Sequence, residues 1–554
     1  MMTDVLVVSD FNAELVSRYL SADRASPACT ASTAPYGQVF QTLATLPDGG
    51  TAGTVFVWTR PEGVIPGWAL FQNGESVSPE HLFEEVDAYA RALKAAAGKC
   101  RLLLVASWVT SRQGRGLGML NWGPDGETRR LAAMNLRLAE ALDGCRGIHL
   151  LDSQRWLEAA RPARDGKYWF SLKTPFTEGV CQAAARDVKA ALRGAAGQSR
   201  KLVVVDLDDT LWGGIVGDQG WQSLRLGGHD PVGEAFQDFQ LALKSLTRRG
   251  IALAVVSKND EAVALEAIDS HPEMLIRRQD LAGWRINWTD KAANIATLAE
   301  KLNLGLDAVV FLDDNPAERG RVREALPMVL VPEWPKDPTH YADALRQLDC
   351  FDQAAITAED RTRGTMYASE RTRRDNAAEF SSMEEWLASL GITAHMAPPG
   401  DGNIKRLVQL INKTNQMNLR TRRLTEAELR AWLDGGTGRG MVTFTVADRF
   451  GELGLTGVLS WEVAEGNLEI VDYILSCRAM GRRMEEAMVS VAVEAARTGG
   501  QNRVVARLHP TERNGPCRTF WQQSGFTEIA PDVFAWDAAR FYARPGVITL
   551  IQTG

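Results

Sequence analysis

Residues 201–220 read KLVVVDLDDTLWGGIVGDQG, and the fold turns on this stretch. Leu202–Val205 is a run of four aliphatic residues, the pattern of a short strand buried on both faces of a parallel sheet. It ends in three carboxylates, Asp206, Asp208 and Asp209, followed by Thr210, a tryptophan and paired glycines. Carboxylates crowded at the end of a buried strand repel one another and lose hydration, so a cation should hold them there. Mg2+ is hard, prefers oxygen ligands and accompanies phosphate chemistry. A helix N-cap or an acidic turn is the plain alternative.

Three further elements follow in order. A strand IALAVVS ends in Ser257 and runs into Lys258 and Asn259, Lys291 lies in WTDKAANI, and VVFLDDNP carries Asp313 and Asp314 after another aliphatic run. Together these resemble the haloacid-dehalogenase (HAD) phosphotransferase signature, whose first element has the form DxDxT. The resemblance makes Asp206 the phosphoryl-accepting nucleophile and a metal ligand, and Asp208 the acid that protonates the leaving group and later activates water. It implies phosphate contacts from Thr210, Ser257, Lys258 and Asn259, and charge neutralisation by Lys291. Asp206, Asp208, Asp313 and Asp314 would then form the Mg2+ site. About forty residues separate the first element from the second, and 34 separate Ser257 from Lys291. Helices and short loops consume such gaps. Neither holds a large cap domain, so the site should be open to a substrate presented by another protein or domain.

With 554 residues the chain is too long for one core, and three domains is the natural expectation. A formal net charge of −7 gives no general attraction to nucleic acid or an anionic membrane. The seven cysteines show no CxxC pair and no zinc spacing, which reads as a reduced, cytoplasmic protein. MMTDVLVVSDFN has no basic segment before its apolar run, so no signal peptide is expected, and no apolar run reaches transmembrane length.

The fold class expected is α/β multidomain. Residues 1–195 alternate apolar runs (VLVVS, VFVWT, RLLLVASWV, GIHLLD) with helical periodicity (HLFEEVDAYARALKAAA, RRLAAMNLRLAEALD). Ser9 and Asp10 follow the first strand where the serine of SGNH hydrolases sits, so this domain is read as SGNH-like. His81 and His149 do not lie in the DxxH setting of those families, which favours a degenerate scaffold or docking module over a working hydrolase. Residues 199–335 form the HAD-like Rossmannoid domain without a large cap. Its strands are KLVVVD, IALAVVS, MLIRR, AVVFLDD and MVLV; its helices are EAFQDFQLALKSLTRRG, stopped by Gly250, AVALEAIDS and AANIATLAEKL. Residues 336–379 are polar and read as a helical connector; the arginines there are interspersed with acids, the mark of a solvated arm rather than a nucleic-acid patch.

Residues 380–554 change character. SMEEWLASLGITAHM and NIKRLVQLINKTNQ look helical, MVTFTVADRFGELGLTGVLSWEV and NLEIVDYILSC look like antiparallel strands, and SCRAMGRRMEEAMVSVAVEAAR runs from strand through turn to helix. This resembles the acyl-CoA N-acyltransferase (GNAT-like) α+β fold, whose cofactor loop has the form R/Q-x-x-G-x-G/A. Arg478 and Gly481 match, but Arg483 replaces the second glycine, which disturbs a backbone cradle for the CoA pyrophosphate and points to a phosphopantetheine arm with a single phosphate. Cys477 stands at the strand end beside Arg478, ahead of the helix, and both neighbours favour thiolate. A buried structural cysteine is the alternative.

DLDDTLWGG and VSKND joined to QLINKTNQMNLRTRR, DRFGELGLTGV and SCRAMGRRMEE look like the FkbH-like family of polyketide pathways, from about residue 200 to the end. The resemblance implies an enzyme that takes 1,3-bisphosphoglycerate, removes phosphate and loads a glyceryl group onto an acyl carrier protein. A thiolate at Cys477 could attack the acyl phosphate, and Asp206, Asp208 and Mg2+ would remove the phosphate ester. Asn415, Asn418, Asp472 and His509 are candidates to orient the thioester, with His509 a candidate base; loop and cap bonding is the other reading. The rival functions are a HAD phosphatase fused to an acetyl-CoA-dependent N-acetyltransferase, and a non-catalytic assembly protein.

Overall fold

A computed structural model describes residues 3–47, 53–110, 114–145, 147–228, 230–356, 380, 382–436 and 438–553. The chain divides into two compact units, 1–195 and 196–554.

The first unit is built on five parallel strands, β1 (Thr3–Ser9), β2 (Cys29–Thr33), β3 (Thr54–Trp58), β4 (Leu102–Ala106) and β5 (Ile148–Leu151), in the order β2-β1-β3-β4-β5. Strands β3 and β4 are buried along their whole length because helices cover both faces: Pro79–Ala97 and Glu127–Leu142 pack on one side, Glu14–Ala22 and Glu178–Ala195 on the other. Strand β2, CTAST, is absent from the sequence reading because an edge strand of mixed polarity gives no apolar run. At the end of β1 the Ser9 hydroxyl accepts the Phe11 N–H at 3.1 Å. Both Asp10 oxygens are bonded to Arg60, at 2.8 Å from its backbone N–H and 2.8 Å from Nε. His81 is exposed and lies 3.4 Å from Glu85, while His149 is half-buried within β5. Ser9 and Asp10 are thus spent on a turn and an ion pair.

The second unit opens with four parallel strands, β6 (Leu202–Val205), β7 (Ala252–Ser257), β8 (Gly283–Ile286) and β9 (Val309–Leu312), in the order β8-β7-β6-β9. Parallel strands with helical crossovers put all their carboxyl ends on one edge. Helix Pro231–Arg248 ends where Gly250 turns left-handed at φ 84°, and the Ile251 N–H reaches back to Leu246 O at 3.1 Å. MLIRR is not a strand. Buried Gln240 takes its backbone, accepting the N–H groups of Leu275 and Ile276 at 2.9 and 3.1 Å, and the strand forms instead at Gly283–Ile286. MVLV contributes only a bridge between Val310 and Leu330. The first part of the expected connector packs onto the core: Tyr341, Ala342, Leu345 and Phe351 are buried against Phe236, Phe239 and Trp334. Its arginine-rich part, residues 357–379, lies outside the described residues.

The remaining strands form one mixed sheet: β10 (Ile392–Ala397), β11 (Met417–Asn418), β12 (Arg439–Asp448), β13 (Gly451–Ala464), β14 (Asn467–Leu475), β15 (Arg503–Arg507), β16 (Thr527–Ala530), β17 (Val533–Asp537) and β18 (Ile548–Gln552). Their order is β16-β17-β15-β14-β13-β12-β10-β18, and β11 pairs with the last residues of β14 beyond its contact with β15. GITAHM is strand rather than helix, because Gly391 at φ 59° ends helix Met383–Ser389. Helix Met484–Thr498 lies buried on this sheet. Among the described residues no helix is long and apolar enough to cross a membrane.

Candidate active site

Strands β6 and β9 are adjacent, with Val205 opposite Leu312, so Asp206 and Asp313 emerge side by side at the carboxyl edge. Lys291, the first residue of helix Lys291–Lys301, reaches both: its ammonium is 2.9 Å from Asp206 Oδ2 and 2.6 Å from Asp313 Oδ2. All three side chains are buried. Burial alone would lower the Lys291 pKa, but the two carboxylates raise it above its ordinary value. Asp313 is pushed up to about 6, by burial and by the Asp206 charge, because a single ammonium is shared between two carboxylates. Asp314 is raised for the same two reasons, in the same order.

Asp206, Asp313 and Asp314 each offer an oxygen within 4.8 Å of the others. Asp206 Oδ1 is buried and has no hydrogen-bond partner among the described residues, although its Oδ2 is engaged by Lys291. An orphaned anionic oxygen among three clustered carboxylates fits a hard divalent cation. Asp208 is not brought to this cluster. Its Oδ1 accepts Trp212 Nε1 at 2.9 Å and the Val216 N–H at 3.1 Å, and its Oδ2 accepts Asn259 Nδ2 at 2.8 Å. Burial raises the Asp208 pKa, the direction an acid catalyst needs.

The phosphate-binding set is also redistributed. Thr210, fully buried, donates to Asp314 Oδ1 and accepts the Asp314 N–H, both at 3.1 Å, and so positions a carboxylate. Asn259 orients Asp208. Lys258 is exposed and paired with Glu318 at 2.6 Å. Ser257 closes β7 beside β6 and is buried at the same edge. Sequence reasoning missed Arg319, whose buried guanidinium donates to the carbonyls of Asp313 at 2.8 Å and Asp314 at 2.7 Å. The only trace is an arginine one turn into the helix after DDNP.

In the mixed sheet Cys477 follows β14 and is half-buried. The helix beyond it begins only at Met484, with Arg483 as its N-cap, so Cys477 does not sit at that N-terminus. Arg483 holds a left-handed backbone, φ 62°, where the resembled loop has glycine. The Gly481 N–H is occupied: it donates at 2.8 Å to Oε1 of Glu485, a buried carboxylate whose pKa burial raises. The Gly481 N–H is thus satisfied by an internal carboxylate. Glu485 is the second residue that the sequence reading missed; its place in the helix's first turn is the available signal.

Cys477 and Arg478 line a cavity of about 310 Å3, together with Asn415 and residues 303–308 of the β6–β9 domain. Asn303 Nδ2, from that lining, donates to Cys477 O at 3.3 Å. Asn415 Oδ1 accepts Arg423 Nη2 at 2.5 Å. Asn418 is buried and bonded to Thr414 O and the Thr421 N–H, and Asp472 is buried against Ser460 and Arg422; both hold loops and strands together. His509 is exposed and is not among the residues lining the cavity.

No family model matches this chain, and no curated protein matches it. Among solved structures, the N-terminal part of a Bacteroides fragilis protein, containing a phosphatase domain complexed with Mg, is 26% identical with a TM-score of 0.57. The match covers 64% of this chain and 95% of that one. The ribosomal-protein-S18-alanine N-acetyltransferase of Escherichia coli is matched at 8% identity and a TM-score of 0.21, over 26% of this chain and 94% of that one. A spermidine N-acetyltransferase variant from Vibrio cholerae is matched at 16% identity and a TM-score of 0.20, over 25% and 81%. With the four elements converging at one sheet edge, and a phosphatase-containing structure similar to this chain over most of its own length, the chain is an enzyme with phosphatase features in its β6–β9 domain.

Proposed function

We propose that the chain is a bifunctional glyceryl transferase and phosphatase, acting on 1,3-bisphosphoglycerate and an acyl carrier protein of polyketide biosynthesis. The observation that carries this reading is a half-buried thiol, Cys477, lining a cavity in the same compact unit as a carboxylate centre of phosphatase type. An acyl phosphate is an activated donor. The Cys477 sulfur attacks its carbonyl carbon, the bond from that carbon to the phosphate oxygen breaks, and phosphate leaves with the electron pair. The pantetheine thiol of the carrier then displaces Cys477 in a thioester exchange.

Removal of the remaining phosphate ester falls to the other centre. The Asp206 carboxylate attacks phosphorus while Asp208 gives its proton to the departing alkoxide; Asp208 then takes a proton from the water that hydrolyses the aspartyl phosphate. Asp206, Asp313 and Asp314 would hold Mg2+, and a bound divalent cation supplies charge neutralisation at the phosphoryl oxygens. Lys291 adds a fixed cation on the same side. Incubation with 1,3-bisphosphoglycerate, followed by intact-mass measurement, tests the reading. A glyceryl adduct that disappears in Cys477→Ala supports it. Steady phosphate release with no adduct on the wild-type chain overturns it.

A further inference from the structure

In the first unit, the chain that follows β4 and β5 holds large apolar side chains in solvent. Four of the residues 117–122 are of this kind, Leu117, Met119, Leu120 and Trp122, with Met119 99% and Trp122 67% exposed. Single exposed apolar side chains are ordinary on any surface, but a run this dense makes a patch. Helix Gly166–Leu172, after β5, adds Phe170, 78% exposed, and Leu172. Strands β4 and β5 are parallel neighbours with Ala106 opposite Leu151, so both segments leave the same edge of the sheet. Arg164 ties them together, its Nε donating to Thr110 O at 2.7 Å.

The patch is held out by built structure. Asn121 Oδ1 accepts the Leu117 N–H at 2.6 Å, its Nδ2 donates to Arg115 O at 3.0 Å, and its carbonyl accepts the Arg129 N–H at 3.1 Å. Gly116 and Gly118 supply the left-handed backbone of this tight loop, φ 50° and 58°. Across the edge, the Arg60 guanidinium stacks on Trp169, 4.2 Å from the ring centre, while the next residue, Phe170, faces water. A loop fixed in advance spares a partner the ordering cost of binding.

The same segments are basic. Residues 114–124 and 161–173 carry Arg115, Arg161, Arg164, Lys167 and Lys173 against one carboxylate, Asp165, in a chain whose formal net charge is −7. Arg115, Arg161, Lys167 and Lys173 are exposed and form no ion pair among the described residues. Aromatic, Met and Arg side chains are the ones enriched where proteins meet. A second copy seated by two-fold symmetry would set this basic edge against itself. An anionic membrane needs no fixed loop and is opposed by the charge of the whole chain. An acidic protein surface is attracted by the cations and covers the apolar centre.

We propose that this edge of the first unit docks an acidic protein partner, the carrier protein of the acyl-transfer reading, with Met119 and Trp122 as the anchors it buries. The partner's identity rests on that reading; the surface does not. Seating the carrier on one unit raises the effective concentration of its arm at the other, to roughly the millimolar range where the link is short and flexible.

The test is the affinity of the full-length chain for a labelled holo acyl carrier protein of type II fatty-acid synthesis, an acidic helical carrier. It is read by fluorescence anisotropy in about 50 mM salt. Binding in the micromolar range should weaken by about tenfold or more in Trp122→Ala, as truncation of an interface anchor does. The double variant Lys167→Glu, Lys173→Glu should weaken it by about as much and flatten its salt dependence. Both variants should keep the wild-type circular dichroism spectrum and hydrolysis of p-nitrophenyl phosphate, which report folding. No binding, or binding indifferent to these substitutions, overturns the inference. So does adsorption to vesicles of phosphatidylcholine and phosphatidylglycerol, or a dimer in sedimentation, that Trp122→Ala abolishes while carrier binding is absent. Carrier binding that depends on Trp122, with no acyl adduct on Cys477, would keep this surface and remove the transferase reading. An adduct on Cys477 with carrier binding indifferent to both variants would do the reverse.

Discussion

Replacing Lys291 by methionine keeps the length of the buried stem and removes the ammonium lodged 2.9 Å from Asp206 and 2.6 Å from Asp313. Three carboxylates then face one another with oxygens inside 4.8 Å. At an effective dielectric of about 20, each pair of such charges repels by roughly 3 kcal/mol. Part of that is relieved by proton uptake, and removing one partner of a buried ion pair typically costs about 3–5 kcal/mol. The metal-free variant should therefore lose about 3–5 kcal/mol of stability in the transition that reports the second unit, measured by urea unfolding of the full chain under chelation. Saturating Mg2+ should restore most of the loss, because a divalent charge replaces the missing cation, and should stabilise the variant more than the wild type. Phosphate release should still fall by about 100-fold or more, since the fixed charge on the phosphoryl group is gone. A metal-free variant within about 0.5 kcal/mol of wild type, with no added response to Mg2+, would refute the electrostatic account of this centre.

Asp206→Asn should abolish phosphate release from p-nitrophenyl phosphate while leaving the circular dichroism spectrum unchanged; full residual activity would remove Asp206 as nucleophile. Asp313 titrates near 6 in the folded chain against 3.8 for a free side chain, so the folded state holds the extra proton between those values. Its contribution to stability is complete below the unfolded pKa and lost as pH rises through about 6. Mg2+ must displace that proton, so its affinity, measured by calorimetry, should climb toward pH 6 and level off above; a flat profile from about pH 5 to 7 would contradict the shift. Arg319→Gln removes the guanidinium that holds the Asp313 and Asp314 carbonyls. It should weaken Mg2+ binding about 10- to 100-fold, as loss of outer support does in metal sites, whereas unchanged affinity would leave Arg319 a packing residue only.

The carboxylate centre was legible because its residues lie where aliphatic runs stop. LVVV followed by Asp206, and VVFL followed by Asp313, announce buried strands ending in charge, and parallel topology does the rest. What sequence order could not convey is where a side chain turns once the strand has ended. Asp208 and Asp206 look equivalent in DLDDT, yet Trp212, Val216 and Asn259 draw Asp208 away from the cluster. The false strand MLIRR has the same origin. Its apolar pattern was real, but Gln240, distant in sequence, supplied the acceptor that a neighbouring strand would have given. Glu485 and Arg319 left only a faint trace for the complementary reason: each serves backbone groups, which carry no residue-type signature.

The position of β6 at the centre of its sheet bears on how the protein is made. It pairs with β7, some fifty residues downstream, and with β9, more than a hundred downstream, so its two edges are closed by segments synthesised much later. A nascent chain that has emerged only as far as β8 carries Asp206 without Lys291 or Asp313 to meet it. Ribosome-bound chains halted before Leu312 should therefore leave the β6 edge open to proteolysis, while the five-stranded unit ahead of it is already closed.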